Sequence, residues 1–219
     1  MIKGLKFQPW ISEGYKRGDS RYSKLLILGE SHYEDSRQAY DDSQKDLIVE
    51  VESSLEQDEK LSSFTNEVLA EFVNEESNIA FFRNLGLLFN PNDRLEVWNN
   101  VSFANGIQVL LSGSSAQPSK EEIATVKDAW WELLDNLQPD RVLVCSQRMW
   151  NYWLPDSDER GYLLKHLEEN NKRSTIWRYN RKGGITHAMA INHPSKYFSH
   201  SNWKPLVEKF LTEDFDISS

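Results

Sequence analysis

Residues 24–33 read Lys-Leu-Leu-Ile-Leu-Gly-Glu-Ser-His-Tyr, so that a short apolar run ends at a glycine and continues into polar side chains. A continuous apolar run bounded by a turn is typical of a strand that is buried on both faces of a parallel sheet. In open α/β sheets, ligands bind at the carboxyl ends of the strands. This stretch therefore predicts the class of fold and the edge of the sheet at which a site would lie.

On both sides of this strand, helical and strand-like patterns alternate along the chain. Further strands are predicted at 101–104, 141–145, 174–179 and 185–191. Helices are predicted at 38–74, 80–89 and 203–211, and from Ser119, which forms a capping box with Glu122. Strands that alternate with helices predict a three-layer αβα protein around a mostly parallel central sheet. We expect one α/β domain over residues 1–219, with residues 36–78 as an acidic helical insertion.

The composition excludes several classes of protein. The 219 residues include one cysteine, Cys145, which excludes a disulfide framework and any site built from several cysteines. No apolar run approaches the roughly 20 residues that span a bilayer, and the first ten residues contain no apolar signal segment. We therefore expect a cytoplasmic protein with no membrane partner, no metal and no cofactor.

Charge is distributed unevenly around a net charge of −9. Residues 34–77 contain fourteen acidic and three basic side chains, whereas residues 171–207 contain seven Lys or Arg and no acid. Basic clusters favour contact with a polyanion, and residues 1–24 also contain six basic and only two acidic side chains. The predicted nucleic-acid contacts are Arg181, Lys182 and Lys196, within a positive surface to which Lys3, Lys6, Lys16 and Arg17 also contribute.

Polar side chains follow three of the predicted strands. Glu30–Tyr33 follows the first strand, Asn105 ends the strand at 101–104, and Asn192–Ser195 follows the last strand. Because the carboxyl ends of parallel strands meet at one edge of a sheet, we expect Glu30, Asn105 and His193 to line one pocket.

These three segments, in this order, resemble motifs of the uracil-DNA glycosylase superfamily. The first motif of that family places a carboxylate or amide residue after a strand-ending glycine, as Gly29-Glu30 does here. A second motif, commonly His-Pro-Ser, matches 193–195. The resemblance implies a uracil-DNA glycosylase-like fold and hydrolysis of the N-glycosidic bond of a deaminated or modified base in DNA, including single-stranded DNA. It also implies that Glu30 acts at the sugar and attacking water, His193 stabilises the departing base, and Asn105 hydrogen-bonds the base edge.

Other residues complete the expected site. Candidate substrate contacts are Ser31, His32, Tyr33, Phe81, Phe82 and Ser195. Tyr33 resembles the tyrosine that excludes the methyl group of thymine in one branch, and Phe81 or Phe82 would stack on an extruded base. The sequence departs from the family at His32, where the known members have proline, and it lacks the four cysteines of the branch that shares its glutamate.

Two other classes of function remain open. The chain could be a non-catalytic module on the same fold that binds nucleic acid or a nucleotide-like ligand. It could also be an esterase of the Gly-Asp-Ser type, with Ser31 as nucleophile, His193 as base and Asn105 as oxyanion donor. In that family an Asp stands three residues before the His, and here the position is Ala190. The esterase would therefore lack the group that orients its base.

Overall fold

A computed structural model describes residues 1–18, 22–33, 54–113, 116–154, 160–195 and 197–215. The strands are β1 (Trp10–Ile11), β2 (Leu25–Gly29), β3 (His32–Tyr33), β4 (Ser102–Asn105), β5 (Leu110–Leu111), β6 (Arg141–Val144), β7 (Gly161–Glu169), β8 (Lys172–Arg181) and β9 (Gly184–Ala190). The helices are α1 (Glu13–Arg17), α2 (Ser54–Val73), α3 (Ala80–Phe89), α4 (Lys120–Leu137), α5 (Gln147–Tyr152) and α6 (His200–Thr212), with a 3₁₀ turn at Glu96–Asn99.

Seven of the strands form a mixed sheet in the order β1-β4-β2-β6-β9-β8-β7. The four strands β4, β2, β6 and β9 are parallel to one another, and β1, β8 and β7 extend this centre by antiparallel pairing. The predicted α/β fold with helices on both faces of the sheet is confirmed, and the antiparallel flanks are an addition to it. The carboxyl ends of β2, β4, β6 and β9 consequently lie at one edge, which we call the carboxyl edge.

The two faces of the sheet are separated by strict alternation along each central strand. In β2, Leu25 and Ile27 pack against α2, α3 and α6, whereas Leu26 and Leu28 pack against α4 and α5. All four side chains are fully buried, because each face of the sheet is covered by a helical layer. On the second face, α4 begins with the predicted capping box, in which Ser119 and Glu122 bond each other's backbone N–H groups.

Helix α2 lies within the predicted acidic segment 36–78 and belongs to the core. Phe64, Leu69 and Phe72 of this helix are buried, and the last two join the cluster that contains Leu25 and Ile27. Residues 36–53 of the acidic segment lie outside the described residues. Among the described helices, none combines the length and the apolarity that crossing a membrane would require.

Candidate functional site

Side chains from the ends of β2 and β4 and from the segment after β9 line one pocket at the carboxyl edge. The pocket has a volume of about 490 Å³, with the open solvent at its mouth included. Its polar lining includes Glu30, Asn105 and His193, and the apolar part includes Val68, Ile79, Phe81 and Phe103. A largely apolar pocket with a few convergent polar groups is the usual form of a small-molecule site. The structure thus brings together the three residues that the sequence predicts.

Asn105 presents an uncommitted amide to this pocket. The residue is 4% exposed, and its backbone carbonyl accepts a hydrogen bond from Gln108 Nε2 at 2.8 Å. Its side-chain amide has no hydrogen-bond partner within the described part of the chain. Gly29 lies opposite Asn105 in the parallel ladder, and a Cβ atom at Gly29 would collide with Asn105 Oδ1. A side chain at position 29 would therefore displace the Asn105 amide, which can offer a donor and an acceptor to a ligand.

Glu30 is held by two side chains that follow the neighbouring strand β6. Ser146 Oγ donates to Glu30 Oε2 at 2.6 Å, and Arg148 pairs with Glu30 Oε1. The Ser146 hydroxyl also caps α5 by accepting from the backbone of Met149. Arg148 donates in addition to Gln117 Oε1 at 2.6 Å and lies over the ring of Trp153. The carboxylate is consequently buried in a fixed orientation with a positive partner.

His193 stands at the rim of the pocket, with its ring centroid 5.2 Å from that of Phe81. Loss of hydration lowers the pKa of His193, the carboxylate of Glu30 raises it, and Arg148 lowers it. The net direction is downward, so the imidazole is neutral at pH 7 and has one N–H to donate. In the described ranges no hydrogen-bond partner for this ring occurs. The ring is thus available to a ligand in the pocket.

The three residues after Glu30 contribute in different ways. His32 is buried between the rings of Phe7 and Phe64, and its Nε2 lies 2.9 Å from Thr65 Oγ1. Burial lowers the pKa of His32 to about 3, so it is neutral and forms part of the pocket wall. Among the described residues, Ser31 Oγ is buried without a hydrogen-bond partner, and Tyr33 is half-buried along the lining.

The two candidate stacking residues differ in their surroundings. Phe81 is half-buried and contacts both His193 and Phe103, so its ring faces the pocket. Phe82 touches the pocket but is 4% exposed and packs against Trp98 and Phe103 in the core. Phe81 is therefore the better placed of the two to stack on a ligand.

Two members of the predicted basic surface lie away from the pocket. Arg181 and Lys182 lie at the β8–β9 turn, which precedes the seven residues of β9, and His193 lies beyond the other end of that strand. At ~3.3 Å per residue they are roughly 20 Å from the carboxyl edge. Because the hairpin reverses the chain, neither side chain lies beside this pocket, and their assignment as nucleic-acid contacts stays a prediction. Lys196 lies outside the described residues.

Three residues at the site carry no signal that the sequence analysis used for function. Ser146 and Arg148 hold Glu30, and Asn84 of α3 donates from Nδ2 to the carbonyl of Ser195 at 3.0 Å. Their partners are more than 100 residues away in the chain, so no local pattern reveals them. Ser195 itself is half-buried, and it takes part through this backbone carbonyl.

The arrangement bears on two other kinds of chemistry. The described residues contain no group of three or more His, Cys, Asp or Glu side chains placed to hold a metal ion. An esterase needs an accessible serine hydroxyl that is hydrogen-bonded to its base. Ser31 Oγ is buried and has no hydrogen bond to His193. The geometry therefore does not favour the esterase.

Comparison with known proteins gives no relative. No protein-family model matches the chain, and neither a curated protein nor a solved structure matches it.

Proposed function

We propose that this chain is a cytoplasmic, uracil-DNA glycosylase-like hydrolase that removes a deaminated or modified base from DNA, single-stranded DNA included. The observation that carries the proposal is the convergence of Glu30, Asn105 and His193 on one pocket. A carboxylate, an amide and a neutral imidazole are the groups that this reaction needs at the sugar, the base edge and the leaving base. The resemblance of the three strand-end segments to the glycosylase motifs supports the same assignment.

The chemistry follows from where charge develops. Breaking an N-glycosidic bond leaves positive charge on the sugar and negative charge on the base, as in other reactions through oxocarbenium-like states. Glu30, fixed by Ser146, stabilises the cationic sugar and orients water. His193, neutral because its pKa is lowered, donates its N–H to the departing base. Asn105 hydrogen-bonds the edge of an extruded base, and Phe81 supplies a surface for stacking.

One observation favours a second candidate, a non-catalytic module that binds nucleic acid or a nucleotide-like ligand. Both oxygens of Glu30 already accept hydrogen bonds, from Ser146 and from Arg148. The positive charge of Arg148 offsets part of the negative charge that would stabilise a cation. A carboxylate has further lone pairs for a water molecule, so the pairing weakens the catalytic role without excluding it.

The deciding experiment combines binding and cleavage on the same oligonucleotides. Single- and double-stranded DNA with uracil, hypoxanthine or hydroxymethyluracil is incubated with the protein, and abasic sites are cleaved with alkali. Base release by the wild type and its loss in Glu30→Gln support the hydrolase. Tight binding without base release in any substrate supports the binding module. Neither binding nor release would contradict both candidates.

Asn105→Ala tests the assignment of the base-recognition group. A site that hydrogen-bonds one base edge rejects other bases because polar groups are left unpaired. We therefore expect Asn105→Ala to narrow the difference in rate between the preferred base and the others. An unchanged order and spread of rates among the bases would remove Asn105 from this role.

A further inference from the structure

Helix α3 contacts the segment that carries His193 through two side chains one turn apart. Phe81 packs its ring against the ring of His193, and Asn84 bonds the two residues that follow it. Residues at i and i+3 lie on the same face of a helix, so both contacts come from one face of α3. The position of His193 therefore depends on a helix from a different part of the chain.

The contacts of Asn84 are unusual in number. Its Nδ2 donates to the carbonyl of Pro194 at 3.2 Å and to that of Ser195 at 3.0 Å. Its own backbone carbonyl accepts from His200 Nε2 at 3.0 Å, at the first residue of α6. Asn84 thus forms hydrogen bonds at both ends of the connection between His193 and α6.

The local backbone explains why an amide suits this position. The N–H of Ser195 bonds the carbonyl of His193 at 2.8 Å, and Pro194 has a fixed φ, so the chain turns tightly after His193. In this turn two successive carbonyls lie within reach of one nitrogen. A single –NH₂ group has two N–H donors and can satisfy both carbonyls. An aspartate of the same shape has none.

We propose that Asn84 is the positioning residue for His193, which it holds against Phe81 at the rim of the pocket. Its role in the reaction rests on the proposed function, whereas its effect on the geometry of His193 does not. Without the Asn84 amide, the segment after His193 loses two hydrogen bonds, and the already exposed imidazole loses its contact with the ring of Phe81. Asn84 touches no substrate in this role.

The test compares Asn84→Ala and Asn84→Asp with the control Asn136→Ala. Asn136 of α4 also donates from Nδ2 to a backbone carbonyl, that of Glu132 at 2.8 Å, so its variant loses the same kind of bond elsewhere. The first readout is the pKa of His193 from NMR titration of its ring. We expect it to rise towards the ordinary value in Asn84→Ala, because the ring loses its shielding by Phe81, and to stay unchanged in the control. Glu30 and Arg148 remain in place in all three variants.

The second readout is amide hydrogen exchange over residues 193–199, which we expect to be roughly tenfold faster in the Asn84 variants. If the wild type releases a base, the single-turnover rate should fall by at least tenfold while oligonucleotide Kd changes less than twofold. Wild-type inactivity would count against the proposed function alone, since the NMR and exchange results do not need turnover. Asn84→Asp keeps the shape of the side chain, but its carboxylate raises the pKa of a nearby imidazole by itself. Amide exchange is therefore the readout for this variant if Asn84→Ala does not fold. An unchanged pKa of His193 in folded Asn84→Ala, or unchanged amide exchange in Asn84→Asp, would overturn the proposal.

Discussion

The amino and carboxyl edges of the central sheet both carry polar side chains but use them differently. At the amino edge, Arg181 bonds the carbonyl of Pro139 and the hydroxyl of Thr186, and Asp135 pairs with Arg160 at 2.5 Å. At the carboxyl edge, the amide of Asn105 and the ring of His193 have no hydrogen-bond partner within the described ranges.

This difference separates structural from functional polar groups. Buried polar groups in folded proteins are normally hydrogen-bonded, and leaving one unsatisfied costs about 1–3 kcal/mol. The amino edge avoids that cost by pairing its charges within the protein. At the carboxyl edge, the buried amide of Asn105 and the exposed ring of His193 are open to a pocket, where a ligand could bond them. Variants at the carboxyl edge should therefore lose activity, whereas variants at the amino edge should lose stability.

The largest effect is expected at the carboxyl edge. His193→Ala removes the donor to the leaving base and should lower the single-turnover rate by about 10²–10³, the usual effect of losing one such donor. Glu30→Gln keeps an acceptor for Ser146 but loses the negative charge, so the rate should fall while affinity for an abasic product stays nearly unchanged. Rates are measured under single-turnover conditions on the preferred base.

Both variants must keep the melting temperature of the wild type for this interpretation to hold. If activity fell only in proportion to the amount of folded protein, these residues would contribute to stability and not to the reaction. An active enzyme that is indifferent to Glu30→Gln would remove the mechanism and leave the fold unaffected.

At the amino edge, Arg181→Ala should act on stability instead. The side chain of Arg181 is 8% exposed, and its loss leaves the carbonyl of Pro139 and the hydroxyl of Thr186 with fewer donors. We expect the free energy of unfolding to fall by about 1–3 kcal/mol, measured by urea denaturation. Base release and oligonucleotide affinity of the folded variant should match the wild type. If Arg181→Ala had reduced oligonucleotide affinity at full stability, Arg181 would be a nucleic-acid contact.

Much of the fold follows from local patterns in the sequence. The helix at 80–89 has the predicted bounds, and the central strands agree with prediction within one or two residues. Strand β7 has no such pattern, because a register shift between Leu163 and Lys165 interrupts its alternation and much of it is exposed. Strands β1, β3 and β5 have two residues each, too few for any periodicity.

The site was only partly predictable for a similar reason. Residues that end parallel strands converge by topology alone, which is why Glu30, Asn105 and His193 could be found. A count of charge along the chain does not show that Arg181 lies far from the pocket. The glycines at 183–184, between two strand candidates, do indicate the hairpin that places it there. Arg148 meets Glu30 only because β6 pairs with β2. Such pairing is set by tertiary packing, which local patterns do not contain.

The wall of the pocket should make stability depend on pH. The pKa of His32 is about 3 in the folded protein because of burial, and about 6.5 when the chain is unfolded. Between these values the unfolded state binds more protons, so stability is full above pH 6.5 and falls as the pH decreases. Between pH 6.5 and 5.5 the free energy of unfolding should fall as the pH decreases, with a slope that approaches about 1.4 kcal/mol per pH unit.

His32→Gln should flatten this dependence, measured by urea denaturation between pH 7.5 and 5.5, before most carboxylates titrate. Part of the slope should remain, since the pKa of His193 is also lowered. If His32→Gln keeps the full slope, His32 is not the group that titrates.

The smallest effect compares one exposed cation from each edge of the sheet. Arg173 lies near the end of β8 that is next to the carboxyl edge, and Lys182 follows the other end of the same strand. Each phosphate that a cation neutralises adds roughly 0.7–0.9 to the slope of log K against log salt concentration. Arg173→Ala should therefore lower that slope for oligonucleotide binding by somewhat less than one, whereas Lys182→Ala should leave it unchanged. If the slope decreased in Lys182→Ala alone, the nucleic acid would bind at the amino edge. The pocket at the carboxyl edge would then not be the site of a DNA substrate.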